Sequence, residues 1–175
     1  MPPIEEVKVN IGTYVYIDGA NIIMSARNLN EGIDIIKIIQ RISDVYRPEK
    51  IFYFSANFKS MQEVFLEMKT RQVDLILKEI YNENNKTKAN CDVEISHRIT
   101  QDIDFKKSKE LILLSGDGDF AHILDFAHKE SIRIKVLAFD PTSCSIVLKR
   151  RNYVKLSYLV EQVHLFRNEK PPIST

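Results

Sequence analysis

At 175 residues the chain has room for one domain with a real core. Its 44% hydrophobic and 28% charged residues are the balance of a soluble globular protein, and no uninterrupted apolar run approaches the length of a membrane span. A net charge of +1 gives no global field to draw in nucleic acid, so any such binding has to come from local basic patches.

The first predicted element is a strand over 13–17 (TYVYI), whose apolar run does not alternate and so reads as buried on both faces. It stops at Asp18-Gly19. Helices are predicted over 20–29 and 33–46, the second with Ile35, Ile36, Ile38, Ile39 and Ile42 on one apolar face. Pro48 ends that helix, and 50–55 (KIFYFS) is the next strand. A helix over 59–71 turns Val64, Phe65 and Met68 inward. The stretch 72–81 fits both periods; Val73, Leu75 and Leu77 alternate, and the polar loop 82–90 after it favours a strand. A helix over 91–102 is predicted to bury Val93, Ile95 and Ile99. The clearest strand is 111–114 (LILL), followed by a helix over 119–130, a strand over 132–139, a short helix near 143–151 and a last extended piece near 153–156. The whole is predicted as a 1–12 extension, a domain over 13–165 and a frayed tail over 166–175.

Two cysteines, Cys91 and Cys144, are too few for a disulfide framework or a thiolate zinc site. The N-terminal MPPIEEVKVN has neither the basic nor the apolar region of a signal peptide. The expected setting is cytoplasmic and reducing, with no membrane partner.

Strands that alternate with helices predict an α/β fold with a mostly parallel central sheet between helical layers. Right-handed crossovers bring the carboxyl ends of the strands to one edge, where ligands of open α/β sheets bind. The residues at those ends are acidic. Asp18 follows the first strand, with Asn21 three residues on. Ser115-Gly116-Asp117-Gly118-Asp119 follows LILL, Asp140 follows the strand ending at Phe139, and Asp92 opens the helix that leads into LILL. Gathered carboxylates repel one another, and a divalent cation removes that penalty. Hard oxygen donors select Mg2+ or Mn2+, and such ions at carboxylates form a working site for phosphodiester hydrolysis. Asp-Gly is also a common turn and Asp or Ser a common helix cap, so Asp18, Asp92 and Asp140 each have a structural role open to them. One of Asp117 and Asp119 could cap the next helix, but not obviously both.

With YIDGAN (16–21), CDVEI (91–95), LLSGDGDF (113–120) and a late stretch around Ser145 and Leu148, the sequence resembles the NYN domain family. That family is a branch of the PIN-like metal-dependent ribonucleases, and its bacterial LabA-like group is the nearest in pattern. The resemblance spans residue 13 to about 160. It implies a PIN-like three-layer sandwich and a Mg2+- or Mn2+-dependent ribonuclease that hydrolyses RNA with a metal-activated water. It assigns the metal to Asp18, Asp92, Asp117 and Asp119, with Asn21 as a polar supporter among the catalytic residues. A homodimer is an expectation of the resemblance alone. Two departures stand out. The family often has Gly-Val-Asp-Val where this chain has Asn90-Cys91-Asp92-Val93, and often a further aspartate where this chain has His97-Arg98.

Candidate RNA contacts are Arg98, Ser145, Lys149, Arg150 and Arg151, with Lys86 and Lys88 as further cations. Phe58 and Tyr81 are candidates for stacking on bases, and His122 lies three residues beyond Asp119. Two other functions fit the residues. One is a non-catalytic RNA-binding or scaffold module of the same fold. The other is dinucleotide binding through Gly116-x-Gly118-x-x-Ala121, with Asp140 after the next strand. Against the second, Asp117 and Asp119 would face a pyrophosphate at a helix start that should welcome anions.

Overall fold

The computed structural model describes residues 10–30, 32–80, 82, 83, 86, 87 and 90–163. Six strands, β1 (Asn10–Asp18), β2 (Pro48–Ala56), β3 (Asp74–Lys78), β6 (Glu110–Leu114), β7 (Arg133–Ala138) and β8 (Val154–Tyr158), form one sheet in the order β3-β2-β1-β6-β7-β8. Every pairing in it is parallel. The polar stretch after β3 was expected to be a loop; it carries a two-stranded antiparallel hairpin, β4 (Asn82–Glu83) and β5 (Lys86–Thr87).

The helices lie in two layers. α1 (Gly19–Asn28), α2 (Ile35–Tyr46), α3 (Gln62–Thr70) and α7 (Leu159–Val163) cover one face of the sheet. α4 (Asp92–Asp104), α5 (Ala121–Lys129) and α6 (Ile146–Lys149) cover the other. β1 reads as a continuous apolar run because both its faces are covered. Tyr14 and Tyr16 pack with Phe52, Leu111 and Leu113 on the α4 side, while Val15 and Ile17 pack with Ile112 and Leu114 on the α2 side. In α2 the predicted stripe is buried at Ile35, Ile38, Ile39 and Ile42, with Ile36 at its margin. Arg47 closes that helix in the left-handed region at φ 46°, and Pro48 starts β2.

Several boundaries differ from the sequence reading. β1 begins at Asn10, inside the predicted extension and three residues before the predicted strand, where Asn10 pairs with Pro48 of β2. Residues 59–61 and 118–120 are single 3-10 turns at the entries of α3 and α5. The late helix is only Ile146–Lys149, and α7 was not expected. Val93 is 77% exposed rather than buried. Ile95, Ile99 and Ile103 recur every four residues and form the buried stripe of α4, which turns Val93 outward. The predicted tail over 166–175 and His164 lie outside the described residues.

The direction in which strands are added across the sheet reverses between β1 and β6. From β1 the chain moves to β2 and β3 with its helices on one face; from β6 it moves to β7 and β8 with its helices on the other. The crossovers therefore part above the carboxyl ends of β1 and β6 and leave a crevice there. Among the described residues, no helix is long and apolar enough to cross a membrane.

Candidate metal centre

Asp18 ends β1 and caps α1. Its Oδ1 accepts the Asn21 N–H at 3.0 Å, and its Oδ2 accepts the Ser115 hydroxyl at 3.1 Å. Ser115 in turn accepts the Asp117 N–H at 3.2 Å. Asn21 Oδ1 takes the Gly116 N–H at 3.0 Å. The two strand ends are thus laced together at the crevice by side chains that also shape the 115–119 loop. Asp18 is 4% exposed, and burial pushes its carboxyl up to about 6. The charges of Asp92 and Asp117 add to that rise, while the Asn21 and Ser115 hydrogen bonds oppose it.

Asp117 turns the chain by accepting the Asp119 N–H at 2.9 Å on its Oδ1. α5 itself has no side-chain cap, so Asp119 is left free of capping duty. Across the loop, Asp140 Oδ1 accepts the N–H groups of Thr142 and Ser143, at 2.6 and 3.2 Å, and the Thr142 hydroxyl. That fold-back presents Ser143 to Gly116 and Ser145 to Gly118. The Ser145 N–H donates to the Gly116 carbonyl at 2.8 Å, and the Ser145 hydroxyl caps α6 through the Val147 N–H. A Cβ on Gly116 would overlap the Ser143 carbonyl, and one on Gly118 would press on Ser145 Oγ. Both glycines therefore admit the protein's own backbone and side chains rather than a pyrophosphate. The glycine run also follows β6, the fourth strand of the sheet in chain order, whereas the dinucleotide fingerprint follows the first. These observations disfavour the dinucleotide reading. Beside the loop lies an open cleft of about 460 Å3, bounded by Asn21, residues 116–119, residues 142–145 and Val147.

Asp92 arrives from a separate element, at the start of α4. Carboxylate oxygens of Asp92, Asp117 and Asp119 all lie within 4.8 Å of one another. Asp92 has its pKa raised by burial and by the charges of Asp117 and Asp119, against a hydrogen bond from Asn90 that lowers it. This donor set suits a hard divalent cation. All three groups are carboxylates, and they are half-buried or exposed, which leaves room for the water that Mg2+ retains. Asp18 stands behind the three, near enough to feel two of their charges.

The predicted RNA contacts fall in different places. Arg98 is engaged by the buried Asp102 at 2.8 Å, and its guanidinium lies 4.1 Å from the centre of the Phe52 ring. Asp102 also accepts the Tyr16 hydroxyl at 3.0 Å. Arg98 is therefore tied into the packing of α4 on the sheet. Arg151 is held by both oxygens of Asp125, at 2.8 and 2.9 Å, and Lys149 donates to the Pro141 carbonyl. Arg150 is exposed and has no ion pair among the described residues. Ser145 is a cap and a packing partner of the acidic loop. The His122 ring bonds the Asp119 carbonyl through Nδ1 at 2.6 Å, and Phe58 is half-buried. Tyr81, Lys88 and the side chain of Lys86 lie outside the described residues. Sequence reasoning passed over Ser115 and Asn90. A serine one place past a strand, in register with an aspartate across the pair, and an Asn two residues before the Asp that opens a helix were the available signals.

A family model described as NYN domain matches residues 12–157. No curated protein matches the chain in sequence. The crystal structure of a protein of unknown function from Vibrio parahaemolyticus is similar in fold, with a TM-score of 0.68 at 14% identity over 86% of this chain and 95% of that one. That likeness bears on the fold alone.

Proposed function

Because the chain belongs to the NYN domain family, a group with a PIN-like nuclease fold whose substrates are nucleic acids, we propose that it is a divalent-metal-dependent ribonuclease. It would hydrolyse RNA phosphodiester bonds with a metal-activated water. The observation that carries this reading is the convergence of Asp92, Asp117 and Asp119 within 4.8 Å at the switch point of a parallel sheet. In this reading those three carboxylates hold Mg2+ or Mn2+. When bound, the ion lowers the pKa of the attacking water and offsets charge on the phosphoryl and leaving oxygens. Asp18 completes the acidic set through water or directly, and orients Ser115, which fixes the Asp117 backbone. Asn21 holds the loop through Gly116 and helps to line the cleft. RNA would cross the cleft along α6, where the exposed Arg150 meets a phosphate.

The test is incubation of single-stranded and structured RNA with the protein in Mn2+ or EDTA, beside Asp117→Asn. Cleavage that needs the metal and drops at least a hundredfold in Asp117→Asn is expected. Equal cleavage by wild type and variant would mark a contaminating nuclease and end the proposal.

A further inference from the structure

We propose that Lys78 and Asn90 are positioning residues for the acidic site, with Lys78 tying the start of α4 to the sheet edge and Asn90 setting the Asp92 carboxylate. The inference rests on reading the three aspartates as a metal site.

The acids reach the crevice by unequal routes. Asp18 ends β1 and Asp117 and Asp119 follow β6, so the sheet core places them directly. Asp92 comes from a helix entered after the hairpin-bearing connection that leaves edge strand β3. Its own charge is repelled by Asp117 and Asp119, which pushes the helix start away from them. Its N-cap residue, Cys91, supplies no side-chain cap.

Asn90 makes up the deficit. Its Oδ1 accepts the Asp92 N–H at 2.8 Å, and its Nδ2 donates to Asp92 Oδ2 at 2.6 Å. One amide therefore satisfies an orphan N–H of the helix and holds one carboxylate oxygen, which leaves the other for a ligand. Lys78 is the last residue of β3, in register with Ala56 of β2. Its ammonium donates to the Asn90 carbonyl at 3.2 Å and pairs with Glu94 at 2.7 Å. These contacts fall on both sides of Asp92 in sequence. A single cation thus links the carboxyl edge of the sheet to the first turn of α4, and it opposes the repulsion within the acidic group.

The experiment compares Lys78→Met, Lys78→Arg and Asn90→Ala with wild type and Asp117→Asn, using the full chain. Hydrogen exchange over residues 91–96 is read in EDTA, and the Mn2+ dissociation constant is read by titration. In EDTA, Lys78→Met and Asn90→Ala are expected to exchange about tenfold faster there, with the global unfolding midpoint unchanged. Each should bind Mn2+ about tenfold more weakly. Lys78→Arg should stay within threefold of wild type. Unchanged exchange, or normal Mn2+ affinity in both variants while Asp117→Asn loses it, would overturn the proposal. If wild type itself fails to bind Mn2+ but exchange still accelerates in both variants, the metal reading falls and the tie stands.

Discussion

The carboxyl of Asp18 is almost wholly enclosed and accepts two hydrogen bonds, yet burial still pushes it up to about 6. In the unfolded chain it titrates near 3.8, so the folded state binds its proton more readily. Its contribution to stability is therefore fully present below about pH 4 and is lost as pH rises through about 6. In EDTA, Asp18→Asn should remove this dependence and gain about 1–3 kcal/mol near neutral pH, read by urea denaturation at several pH values. A variant as pH-sensitive as wild type over that window would show that Asp18 is not the strained acid. The same scale explains Arg98. The sequence leaves open whether an arginine near the site meets phosphate or replaces an acid. Its pairing with Asp102 and its seat on Phe52 give it a packing role. Asp102→Ala would strand the buried Tyr16 hydroxyl and the guanidinium, and should destabilise by about 2–4 kcal/mol in the same assay.

At the scale of elements, the 115–119 loop and the 140–145 loop act as one unit. Gly116 and Gly118 are the two places where the loops touch without room for a side chain. Gly116→Ala should force them apart, lower stability by about 1–3 kcal/mol and weaken Mn2+ binding, because Asp117 and Asp119 ride on the displaced turn. Normal Mn2+ affinity in that variant would show that the 140–145 loop does not support the acids. Neither loop could be paired with the other from sequence. Their contact is between residues of two different crossovers, and neither segment carries a periodicity that registers a distant partner. β3 was recognised through its alternation, but the hairpin beyond it is too short for a pattern to establish itself.

At the scale of the molecule, the acids gather because helices depart to opposite faces on either side of the β1–β6 pair. An ion that binds only the folded chain stabilises it by mass action. At a hundredfold excess over its dissociation constant the gain is about 2.7 kcal/mol, or about 6–10 °C for a chain of this size. Wild type should show that rise in Mn2+ by scanning calorimetry, and Asp117→Asn should not. A rise of equal size in both would place the ion elsewhere.

By itself the sequence determined the alternation of strands and helices, the doubly covered β1, and the arrival of Asp18, Asp117 and Asp119 at strand ends. These follow from local periodicity and from the rule that parallel strands present their carboxyl ends together. Only the tertiary structure decided which acids converge. It joins Asp92 to Asp117 and Asp119 and sets the buried Asp18 behind them, and it commits Arg98, Lys149 and Arg151 to partners within the fold. The reason is that burial and charge pairing depend on which distant segments meet, and the spacing of residues along a chain carries no record of that.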